Sequence, residues 1–552
     1  MKCNRVIFFF LIFFINYSCK TTEEVKKLDY SNVLSVLCEV DKVNAKLEKN
    51  EEIEALSIAK NLVENVEDVE EAKLIYQKAL KQAKEALKDR IEKKDWSLAF
   101  LYFNSIKACE PTFDDEVLKT IVLALDENLG KNYPSLSKIM KKTNSTKIAK
   151  TIDDMIDATV TVFVDKGIKV EKGMGYSDII LGSGFFIDDE GHFITNYHVI
   201  QSEVDSKYEG YSRLYIKNFE GSKDKIPAKV VGYDPLLDLA LVKAQVTPSH
   251  IFKLGSSKDL KVGNKCYAIG SPLGLERTIT QGIISSKDRQ LMPLASVIQL
   301  DAAINHGSSG GPMVDEYGQV QGVVFAGVTK TQGLNFAIPV ELLKLVLPFL
   351  YNGGEHSHSW LASYGKDIDE TDDISSGVIA SYVMPSGAAA KAGISDGVVI
   401  THVNDKEVKN LNHFKSLLME LPISSIVRVR GKVKTENGWQ SKNWFPVLQK
   451  RPESPASLIY KKDTVQRCVL PFYGLLLESA GHKRRFRVKD VVRHSYGDEA
   501  GFMVNDYLEI RNMQLDEDKG LVQTLFYAKK LKAAYIESFI GATTYSDNSG
   551  YF

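Results

Sequence analysis

From about residue 31 to 130, apolar residues recur three and four positions apart, as in EEIEALSIAKNLVENV and VEEAKLIYQKALKQAKEALKDRI. That period lines one face of a helix with apolar side chains, so the spacing predicts a run of amphipathic helices. From about 155 the period changes. TVTVFV, IILGSGFFI, HFITNYHVI, KVVGYD, LALVKA, KCYAIG and GQVQGVVFAGV are short apolar or alternating runs cut by Gly, Asp and Pro. Short strands between turn residues predict an all-β barrel or sandwich. A helical stretch, ELLKLVLPFL, begins at about 341 and leads into the polar, glycine-rich NGGEHSHS. Two further modules follow, from about Trp360 to Gln449 and, after the RPESPAS linker, from about Leu458 to Thr544. VMPSGAAAKAGISDGVVITHVNDKEV and VVRHSYGDEAGFMVNDYLEIRNMQL share one frame of strand, turn, Ala/Gly stretch, apolar residue, Asp and strand. Such a frame points to an internal duplication.

Length and composition widen this picture only a little. A chain of 552 residues holds about three to five domains at the usual ~100–200 residues each. Hydrophobic residues make up 44% and charged residues 26%, so sizeable cores are possible. A formal net charge of −1 exerts no global pull toward nucleic acid or anionic membrane. Lys and Glu concentrate in residues 45–150.

The first residues, MKCNRVIFFFLIFFINYSC, carry Lys2 and Arg5 before an apolar run from Val6 to Ile15. That run suits a signal peptide and is short for a membrane span of ~20 residues. With the small and polar residues before Cys19, the segment resembles a bacterial lipoprotein signal. The resemblance implies export, a lipid anchor on Cys19 and a periplasmic-side location in the cell envelope. Ordinary cleavage or an uncleaved anchor is the alternative. Cys38, Cys109, Cys266 and Cys468 are scattered over separate segments, which predicts free thiols rather than a disulfide framework. DWSLAFLYFNSIKACEP, Asp95 to Pro111, resembles the second half of a tetratricopeptide repeat, with Ala99, Phe103 and Pro111 at that repeat's spacing. A solenoid needs about three repeats, so a plain helical hairpin or bundle stands beside that reading. Either serves packing or partner binding rather than chemistry.

The candidate chemistry lies in the β-rich segment. INHGSSGGPMV, Ile304 to Val314, sets two serines between glycines, by default a loop. A serine hydroxyl is a weak nucleophile at neutral pH and needs a base. His198 in FITNYHVI is the candidate base, and Asp238 in DPLLDLALVKA the candidate orienting acid; Asp234, before Pro235, reads as the turn residue. The order His, Asp, Ser is that of chymotrypsin-like double barrels and differs from subtilisins and α/β-hydrolases. Ser309 precedes two glycines, so the backbone can turn tightly beside a substrate. The N–H groups of Gly307 and Ser309 are then placed as an oxyanion hole.

GSGFFIDDEGHFITNYHVI, DPLLDLALVK, AIGSPLGLERTITQGIIS, LDAAINHGSSGGPMV and GLNFAIP resemble, in order, the blocks of the HtrA (high-temperature-requirement) serine protease family, over about residues 155–350. Two modules similar to PDZ domains follow, as in that family. The resemblance implies a triad of His198, Asp238 and Ser309, an oxyanion hole at Gly307 and Ser309, an acyl-enzyme route needing no cofactor or metal, and a homotrimer. Ser308 stands where the family usually has Asn, and His306 where it has Pro. Losing that proline frees φ, which would let the loop move and make it pH-sensitive; a solvent-facing substitution is the plainer reading. Ala303 stands where a trypsin-like pocket would carry a carboxylate, and VVFAGV makes an apolar wall. A small or medium aliphatic residue before the scissile bond, and unfolded polypeptides as substrates, are what the resemblance implies. Trp360, Leu361, Ala362 and Ser363 are similar to the family's peptide-binding loop, with Ala362 in place of glycine. A Cβ there threatens capture of a peptide C-terminus. The second PDZ-like module reads equally as one that docks on the barrel.

The expected architecture is therefore multidomain: signal peptide 1–18, tether 19–30, α-helical, TPR-like region 31–150, all-β chymotrypsin-like protease 151–352, and PDZ-like α+β modules 358–450 and 458–545. The expected function is a serine endopeptidase for unfolded or damaged envelope proteins. The rival is a non-proteolytic chaperone, adhesin or scaffold on a relic barrel. His356 and His358 lack further metal ligands at sensible spacing. There is no G-x-x-x-x-G-K-[ST] loop and no basic stripe with interleaved aromatics, so neither nucleotide nor nucleic acid is expected.

Overall fold

The computed structural model describes residues 33–66, 69–132, 147–171, 173–205, 213–217, 225–271, 278–327, 334–368, 374–481, 485–531 and 535–552. The signal segment and Cys19 lie outside the described residues.

The helical pattern becomes α1 (Val33–Glu48), α2 (Glu52–Asn65), α3 (Glu70–Glu92), α4 (Trp96–Cys109) and α5 (Asp115–Asn132). Along α3, Ala72, Ile75, Ala79, Ala83 and Leu87 are buried at helical spacing, so the neighbouring helices approach over small side chains. Asp95 caps α4 by accepting the Leu98 N–H at 3.3 Å.

A short helix, α6 (Ile152–Asp157), opens the first barrel, built from β1 (Thr159–Glu171), β2 (Met174–Phe186), β3 (His192–Thr195), helix α7 (Tyr197–Val204), β4 (Arg213–Lys217), β5 (Ile226–Asp234) and β6 (Leu239–Ala244). The antiparallel ring runs β1-β2-β3-β6-β5-β4 and closes on β1. The second barrel joins β7 (Lys265–Gly270), β8 (Thr278–Arg289), β9 (Val297–Leu300), β10 (Pro312–Val314), β11 (Val320–Gly327) and β12 (Asn335–Pro339), closed in the order β10-β11-β12-β9-β8-β7. These are the two six-stranded barrels of the chymotrypsin-like fold. They share one core, in which Phe185 and Leu241 of the first meet Val297 and Ile338 of the second. Helix α8 (Val340–Asn352) seals it with Leu343, Leu347 and Leu350. Burying such side chains contributes about 1.5–3 kcal/mol each, so the interface between barrels, where a cleft must form, is firmly held.

The chain then runs along the first barrel as β13 (Gly354–Glu355), parallel to β5, and enters the first α+β module. That module has β14 (Ser359–Trp360), β15 (Ser363–Asp367), β16 (Val378–Val383), α9 (Ala388–Lys391), β17 (Val398–Val403), β18 (Lys406–Glu407), α10 (Leu411–Met419), β19 (Val429–Thr435), β20 (Gly438–Trp444) and β21 (Gln449–Lys450). Its sheet order is β15-β16-β17-β19-β20. The second module has α11 (Pro455–Lys462), α12 (Val465–Tyr473), β22 (Leu475–Ser479), β23 (Arg485–Val491), α13 (Tyr496–Glu499), β24 (Tyr507–Asp516), β25 (Leu521–Leu531) and β26 (Tyr535–Tyr545), in a meander β22-β23-β24-β25-β26.

Two contacts between parts were not legible in the sequence. The helical region docks on the first module: Asn61 accepts the Phe445 N–H at 2.9 Å and donates to the Phe445 carbonyl at 3.1 Å, while Ile426 and Phe445 enter the helical core. The second module, whose plainer reading is a packing module on the barrel, docks on the first module. The apolar face of α12 joins Trp360, Tyr382 and Met384 in one buried cluster, and the Tyr382 hydroxyl donates to Asp463 at 2.9 Å. Burial of those aromatics of the first module decides the partner.

Candidate active site

His198 is the second residue of α7, where the chain leaves β3 and crosses the mouth of the first barrel. Its backbone N–H has no partner inside the helix and is taken by Asp238 Oδ1 at 2.8 Å. The other carboxylate oxygen takes the imidazole Nδ1–H, also at 2.8 Å. One carboxylate thus sets both the helix start and the ring, leaving Nε2 as the free base position. Asp238 holds φ of +51°, a left-handed value uncommon for a residue with a side chain, immediately before β6. Asn196 steadies it by donating from Nδ2 to the Asp238 carbonyl at 2.9 Å. Burial pushes the His198 pKa down, but the hydrogen bond and charge of Asp238 outweigh it, and the net shift is upward.

Ser309 lies on the loop between β9 and β10. Ser183 of β2 clamps that loop on both sides of Ser308: its N–H donates to the Ser309 carbonyl at 2.7 Å and its hydroxyl to the Gly307 carbonyl at 2.6 Å. Thr195 donates to the Ser183 carbonyl at 2.7 Å. Close approach needs glycine at two places. A Cβ on Gly310, at φ +86°, would lie 2.2 Å from the Ser183 carbonyl oxygen and 3.0 Å from the Asn196 nitrogen. A Cβ on Gly182 would lie 2.6 Å from Val199 and 3.3 Å from the Ser309 carbonyl oxygen. Ser309 is therefore set against the segment that carries His198. Its hydroxyl, however, donates to the Phe325 carbonyl at 3.3 Å and not to the imidazole. The Asp–His half is assembled, and the serine is turned toward the opposite wall.

Gly307 holds φ of +99°. Among the described residues, neither its N–H nor that of Ser309 donates to another group, whereas the Ser308 N–H goes to Asn305 and that of Gly310 to Val324. Two unspent donors flank the nucleophile candidate, as an oxyanion hole requires. His306 is exposed, in keeping with the plainer of its two readings. Ala303 is exposed and Phe325 is half-buried.

Among the described residues three other histidines stand beside carboxylates: His250 lies 3.6 Å from Asp154 and 3.8 Å from Asp157, and the other two form shorter pairs. His192 Nδ1 lies 2.6 Å from Asp188 Oδ2, to which Tyr351 also donates at 2.7 Å. This pair ties α8 to the first barrel. Asp234 forms the expected turn, accepting the Leu236 and Leu237 N–H groups. It also meets His358 Nε2 at 2.8 Å, both side chains being almost wholly buried. The third metal-ligand candidate that the HSH spacing lacks is thus supplied by the fold, since Asp234, His356 and His358 offer ligand atoms within 4.8 Å of one another.

In the loop expected to bind peptides, Trp360, Leu361, Ala362 and Ser363 are all buried. Ala362 adopts φ of +65°, and Gly387 faces its Cβ, at a position where a second Cβ would come within 2.6 Å. The missing side chain of Gly387 makes room for the methyl, so the loop keeps its turn. The edge of β15 beyond it is already covered: Ser363 and Phe552 exchange backbone hydrogen bonds of 3.0 and 2.9 Å. Sequence reasoning missed Ser183 and Thr195, although both stand inside the quoted blocks, and missed residues 550–552, for which no local signal exists. Cys109, Cys266 and Cys468 are buried free thiols, and Cys38 is an exposed one.

Residues 182–323 match the trypsin-like peptidase domain family, 456–546 the TP0546 family PDZ domain, and 35–120 a domain family of unknown function, DUF8517. A probable periplasmic serine endoprotease DegP-like of Pseudomonas putida (strain GB-1) is 38% identical over 239 residues, covering 41% of this chain and 48% of that protein. The DegP-like protein of Chlamydia trachomatis serovar D is 32% identical over 255 residues, 44% of this chain and 49% of that one. The chain spans about half the length of these relatives. Among solved structures, the HtrA-type protease AlgW with tripeptide is 27% identical with a TM-score of 0.45, covering 54% of this chain and 95% of that one.

Proposed function

We propose, from the premise that the double barrel of this chain belongs to the HtrA-type serine proteases, that the protein is a serine endopeptidase acting through His198, Asp238 and Ser309. The observation that carries the reading is His198, held at backbone and ring by one carboxylate and set against the segment of a serine flanked by two unspent amide donors. Rotation of Ser309 about χ1 takes its hydroxyl off the Phe325 carbonyl and onto Nε2. His198 then accepts the Oγ proton as the serine attacks the scissile carbonyl. Asp238 stabilises the imidazolium, and the Gly307 and Ser309 N–H groups stabilise the oxyanion at roughly 3–4 kcal/mol per donor. His198 returns the proton to the leaving amine, and water releases the acyl group by the same steps in reverse.

The apolar wall beside Ala303 suits a small or medium aliphatic side chain, and pockets of that kind discriminate by only ~1–3 kcal/mol per methylene. Unfolded polypeptides that expose such residues are the substrate class of this proposal. A periplasmic location, an anchor at Cys19, a trimeric assembly and peptide capture by the first PDZ-like module belong to the same reading. They rest on the N-terminal pattern, on the naming of the DegP-like relatives and on the family resemblance.

Fluorophosphonate labelling mapped by mass spectrometry tests the nucleophile: the label belongs on Ser309, and Ser309→Ala must abolish both labelling and degradation of unfolded casein. Equal degradation by Ser309→Ala would sink the protease reading in favour of the non-proteolytic scaffold.

A further inference from the structure

Residues 547–552 leave the second module and lie on the first. Gly550 to Phe552 form an extra antiparallel strand on β15, with Gly365 N–H donating to the Gly550 carbonyl at 2.9 Å beside the Ser363–Phe552 pair. Alternation along the strand sends the two aromatic side chains to opposite faces. Phe552, 2% exposed, enters the core of the first module and meets Phe414 of α10 edge-on at 4.9 Å. Tyr551, fully buried, fills the seam between the modules. Upstream, Asp547 takes a two-pronged pair from the buried Arg451 at 2.6 and 2.7 Å. Lys415, on the groove helix α10 and 1% exposed, donates to the Ser549 carbonyl and to the Pro293 carbonyl of the second barrel, each at 3.0 Å. Gly550 lies so close to Tyr364 that a Cβ would sit 2.2 Å from its ring.

We propose that the chain's own 547–552 segment occupies the groove between β15 and α10 as a tethered competitor for the peptide capture proposed above. An outside peptide then enters only by displacing that segment. Because Lys415 touches the resident strand, the groove helix and the barrel loop at once, displacement also removes one of the two acceptors that fix it between module and protease. The inference deepens the peptide-capture reading above, and its tests do not use proteolysis, so the protease reading can fail without it.

A tethered ligand acts at an effective concentration of the order of 1 mM, so it should weaken binding of a free competitor by about 100-fold for a site with Kd near 10 μM. The probe is a fluorescent hexapeptide of residues 547–552 titrated into the full chain and into Gly550→Val, which crowds Tyr364 without removing a hydrogen bond. Gly550→Val should bind the peptide about 100-fold more tightly than the parent, and the Ser363 and Gly365 amides should lose hydrogen-exchange protection. Equal affinities with equal protection overturn the proposal. Should the variant lose cooperative unfolding, the parent chain still decides. Saturating peptide must accelerate exchange in 545–552, and unchanged exchange there overturns the proposal equally.

A separate cluster supports a second site. Asp234, His356 and His358 converge where the linker crosses the end of β5, with the His356 N–H donating to the Tyr233 carbonyl at 2.8 Å. The His356 and His358 rings lie 4.7 Å apart, and the His358 atom beside Asp234 is Nε2, 2.8 Å from Oδ2. Two imidazoles and one carboxylate are the donor set of three-ligand zinc sites, which leave a fourth position for water. We infer that this cluster holds a divalent transition metal, with Zn²⁺ the cation it fits best, bracing the linker against the first barrel. Co²⁺ titrated into the chelator-treated full chain should give visible absorption saturating at one equivalent and abolished by Zn²⁺. His356→Ala, which leaves the His358–Asp234 pair in place, should lose it. No saturable absorption in the parent chain, or the same absorption in His356→Ala, would overturn the assignment.

Discussion

Asp238 holds His198 twice, with Oδ1 on its backbone N–H and Oδ2 on its ring Nδ1, each at 2.8 Å. Position and tautomer of the base therefore depend on a single carboxylate, which itself sits at a left-handed φ of +51°.

Asp238→Asn should keep the fold and lower kcat by about 10⁴-fold, because an amide can donate to Nδ1 and favour the wrong tautomer. The pH profile separates this from a merely structural loss. The His198 pKa is raised above its ordinary 6.5, so the base becomes free only as pH climbs through that raised value. The acid limb of kcat/KM should lie above pH 6.5 in the parent chain and move to lower pH in Asp238→Asn, where the supporting charge is gone. An unmoved limb would assign it to another group.

Gly310→Ala places a Cβ 2.2 Å from the Ser183 carbonyl oxygen and 2.4 Å from Thr195 Oγ1 at φ +86°. Strain and overlap should lower stability by about 3 kcal/mol. The displaced serine loop should lose about 100-fold in kcat/KM. Urea unfolding and hydrolysis of a short peptide measure the two effects.

Asp188 tests the seal between α8 and the first barrel. Burial raises its pKa, but hydrogen bonds from His192 and Tyr351 and the histidine's charge outweigh that, and the net shift is downward. A depressed carboxylate contributes stability above its unfolded pKa and loses it as pH falls through the folded one. Asp188→Asn should therefore cost about 3 kcal/mol at neutral pH, with the difference from the parent shrinking below pH ~4. Thermal unfolding at pH 7 and pH 3 reads the sign.

Asn61→Leu removes the acceptor of the Phe445 N–H and one of the two donors to its carbonyl, the other being the Ser57 hydroxyl at 2.5 Å. Leaving that buried N–H unpaired, while Ser57 keeps the carbonyl satisfied, should cost about 2 kcal/mol, raise hydrogen exchange over 425–447, and leave cleavage of a short peptide unchanged. A change in the last would show that the helical region reaches the catalytic barrel.

Local pattern made much of this chain readable. Ala72, Ile75, Ala79, Ala83 and Leu87 show helical spacing because α3 buries one face only. The barrel strands alternate or run apolar because their side chains face a closed interior. His198, Asp238 and Ser309 stood out through their order and through the resemblance of their blocks to HtrA proteases, since each alone reads as an ordinary turn or strand-end residue. The Ser183 clamp was harder to see, since a buried serine in a strand carries no mark of the loop it will hold. The docking of the second module was hidden for a related reason: α12 shows an apolar face, but nothing along the chain says which apolar face will meet it.

The sequence by itself determined the succession of helical, barrel and α+β parts, because helical and strand periods are properties of neighbouring residues. It also offered the candidate nucleophile, base and acid, through their order along the chain and the resemblance of their blocks to those of HtrA proteases. Only the tertiary structure decided that Ser309 rests on the Phe325 carbonyl, that Asp234 joins His356 and His358, and that Phe552 fills the groove of the first module. Those contacts join residues distant along the chain, and their partners are selected by burial and hydrogen-bond satisfaction after the elements have formed.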